Sequence, residues 1–379
     1  MDFIRLIGVV VTEYPKYLFY KKYDVSNFWN KCIRINVLYT KILQALAVNY
    51  TSNVSYHFND IPYDDSEIPF LCGVDEYKII GAGMIAIVFE TIEDGVVKII
   101  KAKRNGIDEK LHYGLTQLKQ FIQLLCYIPY IKSMNLQFVY EEIHETMLQQ
   151  LNFEEEVTNH KKFKEIFANN PLIVIPELYE DQCTPTQIVM TKLEGFHYNP
   201  DLMDKKQGAI YSNYIMQMIV KGLVFDGVIH ADLHAGNILF MEDKIGIIDF
   251  GLMLHLGKHH INIVKLVNHI VLNQCEEAYS IIFDHFIEPA HIKSNLTHDQ
   301  KEDIKQIIIS IYNHANSVNK CFSGMDICKA IQQINKHNVY LSIVFYKLIM
   351  TIAALEMLLQ KLTPNSSDKF LSYAKEMLK

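Results

Sequence analysis

Apolar positions along this chain change their period several times, and each change marks a different kind of element. From Trp29, the residues Ile33, Val37, Leu38, Ile42, Ala45 and Leu46 recur at helical steps, so residues 1 to about 50 read as helix. The stretch from Thr51 to Cys72 turns polar, carries Pro62 and Pro69, and reads as a linker or loosely packed loop. Short strands follow at Tyr77 to Ile80 and Ile87 to Ile92, separated by the turn GAGMIA at Gly81 to Ala86. A turn at Asp94 and Gly95 leads into a third strand, VVKIIK, whose alternation puts Lys101 with Val97 and Ile99 and turns Lys98 the other way with Ile100. Two amphipathic helices come next, one striped by Leu115, Leu118, Ile122 and Leu125 and the other by Ile143, Met147 and Leu151. In NFEEEVTNHKKFKEIF the residues Glu156, His160, Phe163 and Phe167 share a helix face that Glu154 and Glu155 avoid. Pro176 to Tyr179 and then IVMTKLEG predict a strand running into a hinge, and Tyr211 to Phe225 a helix. The runs NILF and IGII flank a polar turn at Glu242, Asp243 and Lys244, which is a hairpin pattern, and beyond Gly251 the chain is almost wholly helical.

Composition narrows the class. With 379 residues, 50% of them hydrophobic, the chain can build two lobes with real cores. A net charge of −7 and a pI near 6.1 provide no basic field, so nucleic acid is not an expected partner. Cys32, Cys72, Cys126, Cys183, Cys275, Cys321 and Cys328 are scattered without CxxC spacing, an odd set that points to a reducing compartment. The N-terminal run FIRLIGVVV is too short and too charged at its flanks for a signal peptide or a span. The apolar run from Tyr340 to Leu359 is interrupted by Lys347 and Glu356 and reads as a packed core helix. The expectation is an intracellular protein, cytoplasmic or peripheral to a membrane and not secreted.

Chemistry concentrates in HADLHAGNILFMEDKIGIIDFG, His230 to Gly251. If the hairpin pairs about Asp243, Asn237 and Asp249 fall opposite each other, at roughly 5 Å between α-carbons. An amide oxygen and a carboxylate at that spacing suit Mg²⁺, which takes few protein ligands and completes its shell from substrate phosphates. Asp232 precedes Asn237 at the spacing of the HxDxxxxN catalytic loop of kinase-like enzymes. Metal binding through His230, Asp232 and His234 is the competing reading, although no fourth ligand stands at structural-zinc spacing. Upstream, a glycine turn between antiparallel strands can lay backbone amides over phosphates. Lys101, among apolar neighbours, needs an anion, and Glu156 on the apolar side of its helix needs a cation, so the two are expected to pair and aim the lysine at phosphate. Met190 stands near the position that borders an adenine pocket.

These motifs together resemble the UbiB family of atypical kinases, also called aarF-domain or ADCK kinases. KILQ, Lys41 to Gln44, is similar to the family's KxGQ; GAGMIAIVF stands at its alanine-rich loop; KIIKAKRNGI is similar to VAVKVQRPGI, a register that selects Lys101 over Lys98. QLNFEEEVTNHKKF is similar to ELDFRREAANAERF, GVIHADLHAGNILF to GFFHADPHPGNLLV, and KLIMTIAALEMLLQKLTP to the C-terminal LRALATLEGVARRLDP. The resemblance implies an α+β, bilobal protein-kinase-like fold with a small antiparallel-sheet N-lobe, a helical C-lobe and an N-terminal helical extension. The corresponding boundaries are 1–72 for extension and linker, 73–190 for the N-lobe with a helical insertion at 108–150, and 191–379 for the C-lobe and C-terminal helices. It implies ATP and Mg²⁺ as cofactors, with Gly81, Ala82, Gly83, Met84, Val88, Lys101, Met190, Lys41 and Gln44 around the nucleotide. Asn237 and Asp249 would hold metal, and Asp232, Lys101 and Glu156 would be catalytic. It further implies a role in isoprenoid lipid or quinone metabolism at membranes, with peripheral membrane or isoprenoid contact. Departures are Leu43 in place of the KxGQ glycine, Gln150, Leu151 and Asn152 in place of an acidic ExD, the glycines Gly81 and Gly83, and Leu233 and Ala235 in place of prolines. The altered acids motivate a second reading as a nucleotide-binding pseudokinase, and HxDxxxxN alone admits a third, a small-molecule phosphotransferase of the aminoglycoside or choline-kinase type.

Overall fold

The computed structural model describes residues 61–71, 74, 76–125, 136–317 and 324–363, with a few isolated positions before residue 36. Those positions apart, the helix expected over residues 1–50, with Lys41 and Gln44, lies outside the described residues, as do 51–60 and Cys72 of the linker. Two compact units divide the chain: Met1–Val157 with Glu177–Lys192, and Thr158–Pro176 with Leu193–Lys379. A cut in sequence order at residue 190 misses this interleaving, which arises because Phe163, Phe167, Ile173 and Ile175 are buried in the core of the second unit.

The first unit is built on an antiparallel sheet of β1 (Tyr77–Ala82), β2 (Ala86–Glu93), β3 (Val96–Lys103) and, later in the chain, β5 (Gln187–Thr191). Between β3 and β5 come α1 (Ile107–Leu125), α2 (Leu136–Leu151), α3 (Phe153–Phe167) and β4 (Ile173–Val174), the last belonging to the second unit. Asp94 and Gly95 join β2 to β3 with φ of 51° and 77°. Two left-handed residues make the mirror-image turn that matches strand twist, which is why glycine is wanted there. The β1–β2 register skips Ile80, so that Gly81 lies opposite Val88 after a bulge. Leu115, Ile122, Met147 and Leu151 of the two stripes are buried in one cluster with Met84, Ile188 and Met190.

The linker is not loose where it is described. Ile61 and Leu71 are buried, and a single 3-10 turn spans Asp65–Glu67. Arg104, just past β3, donates to the carbonyls of Ile61 and Pro62 and to Glu67, while Asn105 donates to those of Ser66 and Ile68. Ile61 in turn donates its amide to the Ala82 carbonyl at 2.7 Å. Polar composition and two prolines suggested a loose loop because the anchoring groups lie more than twenty residues away, where local sequence carries no sign of them.

In the second unit α4 (Lys205–Lys221) begins earlier than Tyr211, because Asp204 and Gln207 form a capping box. It ends in a π turn, Gly222–Asp226, closed by Gly227 at φ 66°. The short strands are β6 (Val228–His230), β7 (Ile238–Phe240), β8 (Ile245–Ile247) and β9 (Met253–His255); β4, β8 and β7 form one sheet, β6 and β9 another. Then follow α5 (His260–Val271), α6 (Cys275–Phe286), α7 (Ala290–Ser294), α8 (His298–Ser317), α9 (Gly324–Asn335) and α10 (Ile343–Leu362), with β10 (Ile287–Glu288) paired to β11 (Tyr340–Leu341). By length and composition α10 could cross a membrane, yet its Phe345, Leu348, Leu355, Leu358 and Leu362 are buried in the second unit's core.

Candidate functional site

Cross-strand partners share a face of a sheet. The register places Val88 opposite Lys101 and Lys101 opposite Ile188, with Gly81 opposite Val88; one step along the same face, Glu90 lies opposite Ile99 and Ile99 opposite Met190. Four of the expected nucleotide residues, Gly81, Val88, Lys101 and Met190, therefore occupy one face. Lys98 projects to the other, where it pairs with Glu93, donates to Gln182 and lies over the Tyr179 ring. That division follows from strand alternation alone. Lys101 Nζ meets Glu156 Oε1 at 2.6 Å, with side chains 15% and 3% exposed. Lys101 Nζ also lies over the ring of Phe153, one turn before Glu156, 5.6 Å from its centroid. A pair so shielded interacts far more strongly than a surface pair, and each partner makes burial of the other tolerable.

Around the glycine turn, the Gly83 amide donates to the Ala86 carbonyl at 2.8 Å and the Arg104 amide to that of Ile85 at 2.9 Å. The turn is thus closed on itself, with the Gly83 amide occupied within it, and the side chains of Ala82 and Met84 are buried beneath. Asn152, where the resemblance leads one to look for an acid, caps α3: its Oδ1 accepts from the Glu155 amide at 3.1 Å.

The second group of residues lies in the other unit. The observed register is Ile238 with Ile247, Leu239 with Gly246 and Phe240 with Ile245. Asn237 consequently faces Ile248, whose amide donates to the Asn237 carbonyl at 3.2 Å, and Asp249 lies one residue beyond the expected position. The reason is the turn: Met241 and Lys244 bond across only Glu242 and Asp243, so the hairpin is not centred on Asp243. Asn237 Nδ2 donates to the Asp232 carbonyl at 2.9 Å, leaving its amide oxygen as the atom a hard cation would use. Asp249 Oδ1 accepts from the Gly251 amide at 3.0 Å. Asp232, Asn237 and Asp249 are all partly buried. One carboxylate and one amide from this hairpin are hard oxygen donors that fit Mg²⁺ and do not fit a soft metal.

His230 joins the two motifs. A carbonyl only accepts, so the 2.7 Å contact to the Asp249 oxygen puts a proton on Nε2; Nδ1 accepts from the Asp232 amide at 3.2 Å. The ring is held neutral, and burial, outweighing the Asp249 carbonyl and the neighbouring carboxylates, pushes its pKa down. His234 Nδ1 accepts from the Gly236 amide at 3.0 Å. With both His230 nitrogens and His234 Nδ1 engaged by backbone, a His230–Asp232–His234 metal centre loses imidazole donors at those atoms, and among the described residues no cluster of three His, Cys, Asp or Glu has metal-binding geometry. Phe250 is packed by His160 at 4.4 Å and Phe163 at 5.4 Å between ring centroids. His160 is itself fixed by a 2.8 Å bond to the Pro176 carbonyl. Two further side chains act here without having been singled out from the sequence: Asn159, buried on α3, and His255 on β9. The stripe through Glu156 and Phe163 includes Asn159 at helical spacing, so its burial was legible, but its partners were not.

Comparison with known proteins agrees with this architecture. Residues 76–281 match the family described as ABC1 atypical kinase-like domain. An uncharacterized protein in the hydrogenase 1 5′ region of Clostridium pasteurianum is 25% identical over 311 residues, 78% of this chain and 56% of that protein. The protein named "Probable protein kinase UbiB" of Cronobacter sakazakii is 28% identical over 181 residues, 45% of this chain and 31% of the relative. The matched stretch thus spans little more than half of the first relative and about a third of the second. Among solved structures, the Rv3197–erythromycin complex of Mycobacterium tuberculosis is 15% identical, with a TM-score of 0.49 over 97% of this chain and 90% of that one. With the family match spanning the sheet, the Lys101–Glu156 pair, the HAD loop and the DFG turn, the chain belongs to the ABC1 (UbiB/ADCK) family of atypical kinases and has its protein-kinase-like α+β fold.

Proposed function

We propose that this atypical kinase binds Mg²⁺·ATP and transfers or hydrolyses its γ-phosphate, with a lipid, an isoprenoid or water rather than a protein as acceptor. The observation that carries the reading is the Lys101–Glu156 pair, 2.6 Å apart, on the sheet face that also holds Gly81, Val88 and Met190. A buried lysine so oriented is the device kinases use to grip the α- and β-phosphates. Asn237 and Asp249 would hold Mg²⁺, which when bound supplies charge neutralisation to the phosphates. Asp232 would accept the acceptor's proton or orient it. Lipid as the acceptor class rests on the resemblance and on the lack of an APE-type segment after Gly251.

The test is thermal unfolding with Mg·ADP, followed by ATP turnover with and without anionic liposomes. At about a hundred times the dissociation constant, ligand adds about 2.7 kcal/mol of stability. Asp249→Asn is expected to lose the Mg²⁺-dependent part of this shift and the turnover. Wild-type protein without any shift would refute the reading. A shift without turnover, unaltered in Asp232→Asn, would favour a nucleotide-binding pseudokinase, for which Asn152 serving as a neutral helix cap in place of an acid is the motivating observation.

A further inference from the structure

We infer that Asn159 is a positioning residue for the metal-binding turn, acting through the Phe250 carbonyl; the inference rests on the assignment of Asp249 to the metal. Asn159 is 7% exposed, a costly place for an amide unless both of its ends are bonded. Its Nδ2 donates to the Phe250 carbonyl at 3.4 Å, and His255 Nε2 donates to its Oδ1 at 3.1 Å. The chemistry fixes this orientation, since Phe250 offers an oxygen that can only accept, and the amide must therefore turn its NH₂ there and its oxygen to His255. The preceding carbonyl, of Asp249, is held by His230 Nε2 at 2.7 Å, and the following amide, of Gly251, bonds Asp249 Oδ1 at 3.0 Å. Two successive peptide planes are thereby tied to side chains, and with them the direction in which Asp249 presents its second carboxylate oxygen. His255 belongs to β9, where it lies opposite Val228 of β6, so the clamp ends on a paired strand rather than on a loop. His230 was marked by its motif, whereas Asn159 holds the other half of the turn from a different helix.

An isosteric Asn159→Asp exchange removes the donor and sets a carboxylate oxygen against the Phe250 carbonyl. Outer-shell partners of a metal ligand tune metal affinity by about tenfold or more. The experiment titrates Mg²⁺ against ADP-dependent thermal stabilisation, with ADP alone in EDTA as reference. In Asn159→Asp the Mg²⁺ concentration for half-maximal effect is expected to rise about tenfold, with ADP binding in EDTA changed less than about twofold. His255→Ala, at the exposed end of the clamp, should move in the same direction by less, and His255→Gln, which keeps an N–H donor, should recover most of that change. Equal Mg²⁺ dependence in Asn159→Asp and wild type, or a parallel loss of ADP binding in EDTA, would overturn the inference. Hydrogen exchange of ligand-free protein separates this failure from failure of the nucleotide reading. Faster exchange across residues 250–253 in Asn159→Asp and His255→Ala is expected whether or not nucleotide binds, and unchanged exchange overturns the clamp by itself.

Discussion

The two members of the Lys101–Glu156 pair do not carry equal risk. Glu156 is 3% exposed and Lys101 15%. Replacing Lys101 with Met takes the cation away from a carboxylate in the more enclosed position, whereas Glu156→Gln leaves a lysine that keeps some access to water. Breaking a buried pair by removing one partner costs about 3–5 kcal/mol, and Lys101→Met is expected at the upper end with Glu156→Gln below it. Denaturant unfolding of both variants checks the order, and a larger loss in Glu156→Gln would contradict it. His230 gives a pH signature with a definite sign. Its folded-state pKa lies below the ordinary histidine value, so between the two the unfolded chain binds more protons than the folded one. Stability from this group is fully present above about pH 6.5 and declines as pH falls toward the folded pKa. In unfolding experiments between about pH 5 and 7.5, His230→Gln should flatten that part of the slope. An identical slope would mean that the ring is not held neutral.

At the scale of elements, close backbone approach separates glycines that look alike in sequence. A Cβ on Gly222 would lie 2.3 Å from the Val228 carbonyl oxygen, and one on Gly208 2.1 Å from that of Leu362. Neither contact can relax without moving a chain: the first shifts the strand that ends at His230, the second separates α4 from the end of α10. Overpacking of this kind costs about 1–3 kcal/mol or more, so Gly222→Ala and Gly208→Ala should both lower the unfolding midpoint. Gly81 meets nothing within 4 Å, and Gly81→Ala should hold stability within about 0.5 kcal/mol of wild type. A marked loss there would show that the space around Gly81 is not open. The hairpin teaches the same lesson about register. The apolar runs NILF and IGII marked both strands, but a single residue in the turn decided whether Asn237 met Asp249 or Ile248.

For the whole molecule, the apolar helix near the C-terminus is the informative case. Composition alone cannot separate a core helix from a membrane span, because both are apolar on most sides. Leu355 is 2% exposed within a core that also takes residues from α3, α4, α5 and α8. Leu355→Ala is therefore expected to cost about 2–5 kcal/mol of folding stability, and equilibrium unfolding of the purified protein in water measures it. A negligible cost would mean that the helix is not part of this core.

Local pattern determined much of this protein by itself: three strands, the amphipathic helices, the face that carries Lys101, and the motifs His230 to Gly251 that place the chain among kinases. Strand alternation, helical period and loop spacing are properties of neighbouring residues, and neighbours are what a sequence displays. Only the tertiary structure decided the rest. It placed Thr158–Pro176 with the second unit, bound residues 61–71 to Arg104, set the hairpin register, and gave Asn159 and His255 to the turn that follows Asp249. Each of these depends on a hydrogen bond or a packing contact between residues distant in the chain, and the partner of a buried amide or guanidinium is fixed by where folding brings an acceptor, which no local pattern encodes.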